Sequence, residues 1–387
     1  MRILLSNKFY YRRGGDCIYT LNLEEMLGRH GHEVAVFAMD YPENLPSEWS
    51  GYFPSNMTNS MALTRPFGSR EVRAKFTRLI NDFSPEVVHL NNIHTHLSPV
   101  MAEIAHNRGV RVVWTLHDYK LLCPRYDCLR AGSEVCETCF VGVKLAGITR
   151  RCMKGSLAQS VIGYLEAAKW NHKRLSSCTD VWICPSEFMS EKMAQGGFPS
   201  EKLTVLHNSI DTTRCHRSNY GKAEYYCYVG RLSHEKGVRA LIKVAGSLPY
   251  TLKVVGGGPM EQELRAIPGD RVELVGVKQW EDLKLYVGQA LFTVIPSEWY
   301  ENCPLSVIEA QCLGTPVLGA RIGGIPELID EGVSGMTFES GNEADLREKI
   351  IAMMQRQWDY TTIARQAMSR YDDERYYEQL MAIYEAK

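Results

Sequence analysis

Nowhere in this 387-residue chain do apolar residues run for the roughly eighteen positions that a membrane-spanning helix takes, so no span is expected. The opening MRILLSN lacks the charged start, long apolar stretch and small-residue cleavage site of a secretory signal, and reads instead as a first buried strand. The expected compartment is therefore the cytosol, with peripheral contact at the inner face of a membrane left open. An excess of charge of either sign is also missing. Lys and Arg number 44 against 45 Asp and Glu, a formal charge of −1, which removes any global reason to expect nucleic acid. Low-complexity segments and short-period repeats are absent too.

What is present fits a soluble two-domain protein. Hydrophobic residues make up 45% and charged residues 23%, both ordinary for a globular chain, while the length exceeds what one hydrophobic core usually serves. Short, nearly all-apolar runs alternate with longer helical stretches. In the first half the expected strands are Arg2–Ser6, Val34–Ala38, Val87–Leu90, Arg111–Leu116 and Val181–Cys184. In the second half they are Tyr225–Val229, Thr251–Val255, Val272–Val275, Leu291–Ile295 and Pro316–Leu318. Such strands suit parallel sheets buried on both faces, and their alternation with helices predicts two doubly wound α/β domains. The polar stretch Asn208–Lys222 loses the apolar periodicity between a strand-like run ending at His207 and the strand from Tyr225, and reads as a linker between domains 1–207 and 223–370. From Tyr371 onward, Tyr377, Leu380, Met381 and Tyr384 recur at helical spacing, which predicts a separate terminal helix over 371–387.

The most specific stretch is SEWYENCPLSVIEAQCLGTPVLGARIGGIPELI, from Ser297 to Ile329. Ser306–Leu313 reads as a helix stopped by Gly314, followed by the Pro316–Leu318 strand. A helix starting near Pro304 would turn its free N–H groups and positive dipole end toward the loop carrying Glu301 and Asn302, where a diphosphate could sit. Glu309, one turn further in, could accept two hydrogen bonds from vicinal ribose hydroxyls. VGRLSHEKG, Val229–Gly237, sets Arg231 and Lys236 just after a strand, where two cations can offset charge on a leaving diphosphate. Gly14 and Gly15 follow the first strand and let the backbone approach a ligand closely. His117 and Asp118 close the strand in VVWTLHDY, and the GGGP of Gly256–Pro259 closes another.

These motifs resemble the family 4 retaining glycosyltransferases, and the resemblance runs from the glycine pair to the terminal helix. It implies the GT-B architecture: two Rossmann-like domains facing a central cleft, with the C-terminal helix crossing back to the N-terminal domain. By the same resemblance the donor is a nucleoside-diphosphate sugar and the acceptor a carbohydrate or lipid-linked hydroxyl, in polysaccharide or glycoconjugate synthesis. Catalytic roles are implied for His117, Arg231, Lys236 and Glu301. Donor contacts are implied for Gly14, Gly15, Gly256, Asn302, Cys303, Pro304, Leu305 and Glu309. Asn302, Cys303 and Pro304 depart from many relatives, which carry a glycine and an aromatic there. No two aspartates are separated by a single residue, so no DxD metal site is encoded and no cofactor is expected for catalysis. A sugar-nucleotide epimerase or phosphorylase of similar fold, or a non-catalytic nucleotide-binding scaffold, are the competing readings.

Two features lie outside that pattern. Cys123, Cys128, Cys136, Cys139 and Cys152 cluster in sequence around a CxxC, and four of them could bind a structural zinc; free thiols or a disulfide are the alternatives. Between Phe140 and Arg174 the cations Lys144, Arg150, Arg151, Lys154, Lys169, Lys173 and Arg174 face the single acid Glu166. Val143, Leu145, Ile148, Leu157, Val161, Ile162, Tyr164 and Leu165 are interleaved with them. Residues 144–174 could therefore lie on an anionic lipid surface, or form a helix that covers the core with a solvated basic face.

Overall fold

A computed structural model describes residues 1–56, 64–142, 144–267 and 269–386, so Val143 of the basic stretch and the final residue of the tail lie outside the described set. The chain divides into two compact units. The first comprises residues 1–128, 136–206 and 377–387, and the second residues 129–135 and 207–376.

The first unit is built on six parallel strands. Their order across the sheet is Glu33–Phe37, Arg2–Ser6, Val87–Leu90, Arg111–Thr115, Val181–Cys184 and Leu203–Val205. Ile3, Leu4, Leu5, Val88 and Trp114 are fully buried, as strands covered on both faces require. The strand order reverses direction between Arg2–Ser6 and Val87–Leu90, which makes the loops after these two strands the flanks of a topological switch point. The last residues of the chain complete this unit. The terminal helix Asp373–Glu385 buries Leu380 and Tyr384, and the Tyr384 hydroxyl meets His89 Nδ1 at 2.5 Å. His32 Nε2 likewise lies 2.8 Å from the Tyr377 hydroxyl.

The second unit repeats the plan with the order Val272–Gly276, Thr251–Val255, Tyr225–Val229, Thr293–Ile295, Val317–Ala320 and Gly335–Phe338. All its pairings are parallel. Its switch point falls between Tyr225–Val229 and Thr293–Ile295. The segment Asn208–Lys222, expected as a linker, is instead packed into this unit. Asn208 Nδ2 donates to the Cys303 carbonyl at 2.8 Å, Thr212 Oγ1 to Asp372 at 2.6 Å, and Lys222 Nζ to Thr315 Oγ1 at 2.8 Å. These three polar side chains are paired within the unit, while Arg214, His216 and Asn219 of the same segment are exposed.

Candidate donor site

Both strands that flank the second unit's switch point deliver a charged residue to it. After Tyr225–Val229 the chain turns through Arg231 and the short helix His234–Lys236 before Val238–Ala245. After Thr293–Ile295 it runs through Ser297 to Glu301 and into the helix Leu305–Cys312. Lys236 Nζ and Glu301 Oε1 meet at 2.6 Å, and Ser297 Oγ donates to the same carboxylate oxygen at 2.7 Å. Burial alone would push the Glu301 carboxyl up. The Lys236 charge and hydrogen bonds from Lys236 and Ser297 outweigh it, so this buried acid is held below its ordinary range and stays ionised. The ammonium of Lys236 also stands 5.1 Å from the centre of the Trp299 ring.

Backbone geometry holds that loop in place. Gly323 has φ +58, and a Cβ there would come within 2.3 Å of the Glu301 carbonyl oxygen. The next amide, from Gly324, donates to that carbonyl at 2.8 Å. Gly237 has φ +64 with the Pro296 carbonyl 1.8 Å from where its Cβ would be. Only glycine fits either position, because the two loops at the switch point touch backbone to backbone.

The expected helix after the loop begins at Leu305, with Pro304 at its N-cap, and ends at Cys312, one residue earlier than expected. Glu309 lies one turn inside it. Burial pushes its carboxyl up to about 7, partly offset by the charge of Arg214. A carboxyl in that state is poised to be ionised by hydroxyl donors. Asn302 is half-buried and Cys303 is buried. Its thiol is 5% exposed, accepts from the Asn208 amide at 3.4 Å, and is pushed up to about 12 by burial. Its side chain is committed to packing. Arg231 is exposed, and its carbonyl accepts from the Tyr228 hydroxyl and the Ser233 amide. Gly256 has φ +146 and packs its Cα face against the Gly230 carbonyl, so GGGP sits beside the Arg231 turn.

In the first unit, Gly14 caps the helix Gly15–Arg29 with an extended φ of −146. A Cβ at Gly15 would meet nothing within 4 Å, so the chain itself does not demand glycine there. His117 Nε2 lies 2.9 Å from Asn91 Oδ1, and the ring packs edge-on to Tyr19. Burial lowers its pKa to about 4, against the pull of Asp16, so the imidazole is neutral near pH 7. Because Asn91 presents an acceptor, Nε2 carries the proton and Nδ1 can accept one from a ligand hydroxyl. Asp118 accepts from the Lys120 amide at 2.9 Å, which fixes the loop after the strand.

The cysteine cluster does not assemble into a zinc site. Among the described residues no group of three or more His, Cys, Asp or Glu side chains could hold a metal ion, and all five cysteines are free. Cys123 and Cys128 pair thiol to thiol, which lowers the Cys123 pKa to about 6 and raises that of Cys128. Cys136 instead lies 3.3 Å from Thr138 Oγ1 and takes a hydrogen bond from Arg150 at 3.4 Å. Lys144 ties this segment together, its ammonium donating to the carbonyls of Leu121, Leu122 and Cys139.

Sequence reasoning missed Ser297, Gly323, Gly324 and Asn91. The first three lie in the stretch already singled out, where the GG of RIGGIPELI was the available signal. Asn91 gave none, because its partner is 26 residues away.

Comparison with known proteins places these features. The model for "Glycosyltransferase Family 4" matches residues 13–214, and that for "Glycosyl transferases group 1" matches residues 210–375. An uncharacterized 42.6 kDa protein of the Klebsiella pneumoniae cps region is 27% identical over 85% of this chain and 87% of its own length. The amylovoran biosynthesis glycosyltransferase AmsK of Erwinia amylovora is 27% identical over 54% of this chain; the match spans little more than half of AmsK, 56%. Among solved structures, Anabaena HepE in complex with UDP-glucose superposes with a TM-score of 0.65 at 17% identity, over 99% of this chain and 100% of that one. The apo lipopolysaccharide outer core galactosyltransferase WaaB reaches 0.69 at 14% identity, over 99% and 98%. At such identities the likeness concerns the fold, which is GT-B.

Proposed function

This chain belongs to glycosyltransferase family 4, and on that footing we propose that it transfers a sugar, with retention of anomeric configuration, from a nucleoside-diphosphate sugar to an acceptor hydroxyl. The observation that carries the reading is the Lys236–Glu301 ion pair at the switch point of the second unit's sheet, where ligands of open α/β sheets bind. In this reading Glu309 accepts from the ribose hydroxyls. The N-terminus of Leu305–Cys312, with Asn302, Pro304 and Leu305, lines the diphosphate. Gly256 keeps the neighbouring turn open. Glu301 positions the sugar, and Lys236 and Arg231 bear the charge that grows on the leaving phosphate oxygen. In the first unit, neutral His117 accepts from a sugar hydroxyl through Nδ1, and the open space at Gly14 and Gly15 is left for ligand.

The bond from the anomeric carbon to the phosphate oxygen breaks through an oxocarbenium-like transition state. The acceptor oxygen bonds to that carbon on the same face, and its proton passes to the departing phosphate oxygen. No enzymic nucleophile is assigned. Names such as amylovoran and colanic acid biosynthesis glycosyltransferase among the relatives support polysaccharide assembly as the setting, with a carbohydrate or lipid-linked acceptor on the cytoplasmic side. The test is product analysis by NMR with a panel of nucleotide sugars and glycan acceptors. A glycoside that keeps the donor's anomeric configuration is expected. An inverted product, or a donor epimerised without acceptor, would refute the reading.

A further inference from the structure

The helix Leu157–Lys169 is built inside out. Its buried residues are Ser160, Gly163 and Glu166, small or polar in each case. Glu166 pairs with Lys120 at 3.0 Å and accepts from the Thr95 amide at 3.2 Å. Gly163 packs so closely that an added Cβ would stand 3.3 Å from the Met153 side chain. The large apolar residues point the other way. Leu157 and Leu165 are 50% and 47% exposed, and Val161, spaced four residues from each, falls on the same face. A helix that merely covers a core has the opposite arrangement.

Further exposed apolar residues come from the same stretch of chain. Nine large hydrophobic residues are exposed among the described residues, and five of them, Tyr126, Val141, Leu145, Leu157 and Leu165, fall within forty consecutive positions, 126–165. Next to them opens a cavity of about 350 Å³, lined by Leu121, Phe140, Val141, Tyr164, His172 and Phe198 among others. The exposed charge on an overlapping stretch has one sign. Between Phe140 and Arg174, Arg150, Arg151, Lys154 and Lys173 are exposed, while the one acid of that stretch, Glu166, is turned inward and neutralised. Nearby carboxylates are spoken for as well: Glu103 pairs with Arg174 at 2.5 Å, and Glu137 with Lys192 at 2.6 Å.

We propose that the outward face of helix Leu157–Lys169, with Val141 and Leu145 and the flanking cations Arg151, Lys154 and Lys173, seats the protein in the interfacial layer of an anionic lipid bilayer. The apolar stripe enters the headgroup–acyl boundary, and the cations meet lipid phosphates. Charge decides between this occupant and a second copy of the chain: like cations would be brought together in a symmetric pair, whereas an anionic surface neutralises them. No helix of the described residues is long and apolar enough to cross a membrane, so the contact is one of lying on the surface.

The test is flotation of the full chain with vesicles of phosphatidylglycerol and phosphatidylcholine, against phosphatidylcholine alone; it needs no donor sugar and is independent of the transferase reading. The chain is expected to float with the anionic vesicles and to release as salt is raised. Leu157→Glu with Leu165→Glu should abolish flotation while leaving the melting temperature near that of the parent, since both side chains are half exposed. Arg151→Gln and Lys154→Gln should each weaken partitioning roughly fivefold. Failure to float with anionic vesicles, or flotation unchanged by the double glutamate variant, would overturn the proposal. So would a dimer in light scattering that Leu165→Glu dissolves, because the face would then be covered by a second copy.

Discussion

Single residues at the switch point carry opposite electrostatic assignments, and these can be separated by pH. Glu301 is buried yet held ionised by Lys236, while Glu309 is pushed up to about 7 with only Arg214 opposing. In the proposed reading ribose hydroxyls donate to the ionised carboxylate of Glu309, so nucleotide-sugar affinity should rise as pH increases through about 7 and fall below it. Glu309→Gln should remove that dependence and weaken binding about tenfold or more, the worth of a charge-assisted hydrogen bond. The sign for stability is the reverse. A carboxyl raised in the folded state costs stability as pH rises from its ordinary range to about 7, so the ligand-free Gln variant should be at least as stable as the parent at pH 8. Calorimetric titration at pH 6 and 8 checks the first point and urea unfolding the second; a pH-independent parent affinity would remove Glu309 from the ribose. At this scale the sequence was informative about which residues matter and silent about their pairing. Lys236 and Glu301 were both singled out as ligand contacts, but their mutual ion pair bridges 65 positions, and no local pattern reports it.

At the scale of elements, what holds the donor loop is the contact of backbone on backbone. Gly323→Ala would force a side chain into the left-handed region and against the Glu301 carbonyl. The loop must shift, and a displacement of about 1 Å at a catalytic group can cost on the order of 100-fold in rate. Steady-state kinetics should show that loss in kcat, with circular dichroism unchanged; normal kcat would mean that the loop tolerates the methyl. Nine of the twelve strands of the two parallel sheets begin within one residue of their expected start and end within two of their expected end, because buried parallel strands are short continuous apolar runs. Leu203–Val205 was foreshadowed only as part of a strand-like run ending at His207, and Gly335–Phe338 was not anticipated. Both are edge strands with a single neighbour; the first is only half-buried, and the second opens on a glycine. Edge positions do not impose the unbroken apolar run that reveals a central strand.

At the scale of the molecule, two doubly wound units were legible from alternation and length, but the segment between them was not. Within Asn208–Lys222 the side chains of Asn208, Thr212 and Lys222 bond to the second unit, and composition alone does not distinguish such paired polar groups from solvated ones. The terminal helix was visible in its spacing, and the structure shows what it does for the first unit. Tyr384→Phe removes the partner of fully buried His89 Nδ1, and an unsatisfied buried polar group costs about 1–3 kcal/mol. Urea unfolding should register that loss; an unchanged midpoint would show that the contact contributes nothing to holding the helix.

The most direct test of the donor-site assignment is the turnover of Lys236→Ala. Lys236 stands against the buried carboxylate of Glu301 at the switch point, and in the proposed reading its charge acts on the leaving diphosphate. Loss of one preorganised electrostatic contact typically costs about 2.7–4 kcal/mol, so kcat should fall on the order of 100- to 1000-fold. The deficit should appear in kcat and not in KM alone, since the charge it meets is largest in the transition state. The measurement is steady-state transfer at saturating acceptor, with circular dichroism to confirm the fold. A folded Lys236→Ala enzyme with near-normal kcat would contradict the account.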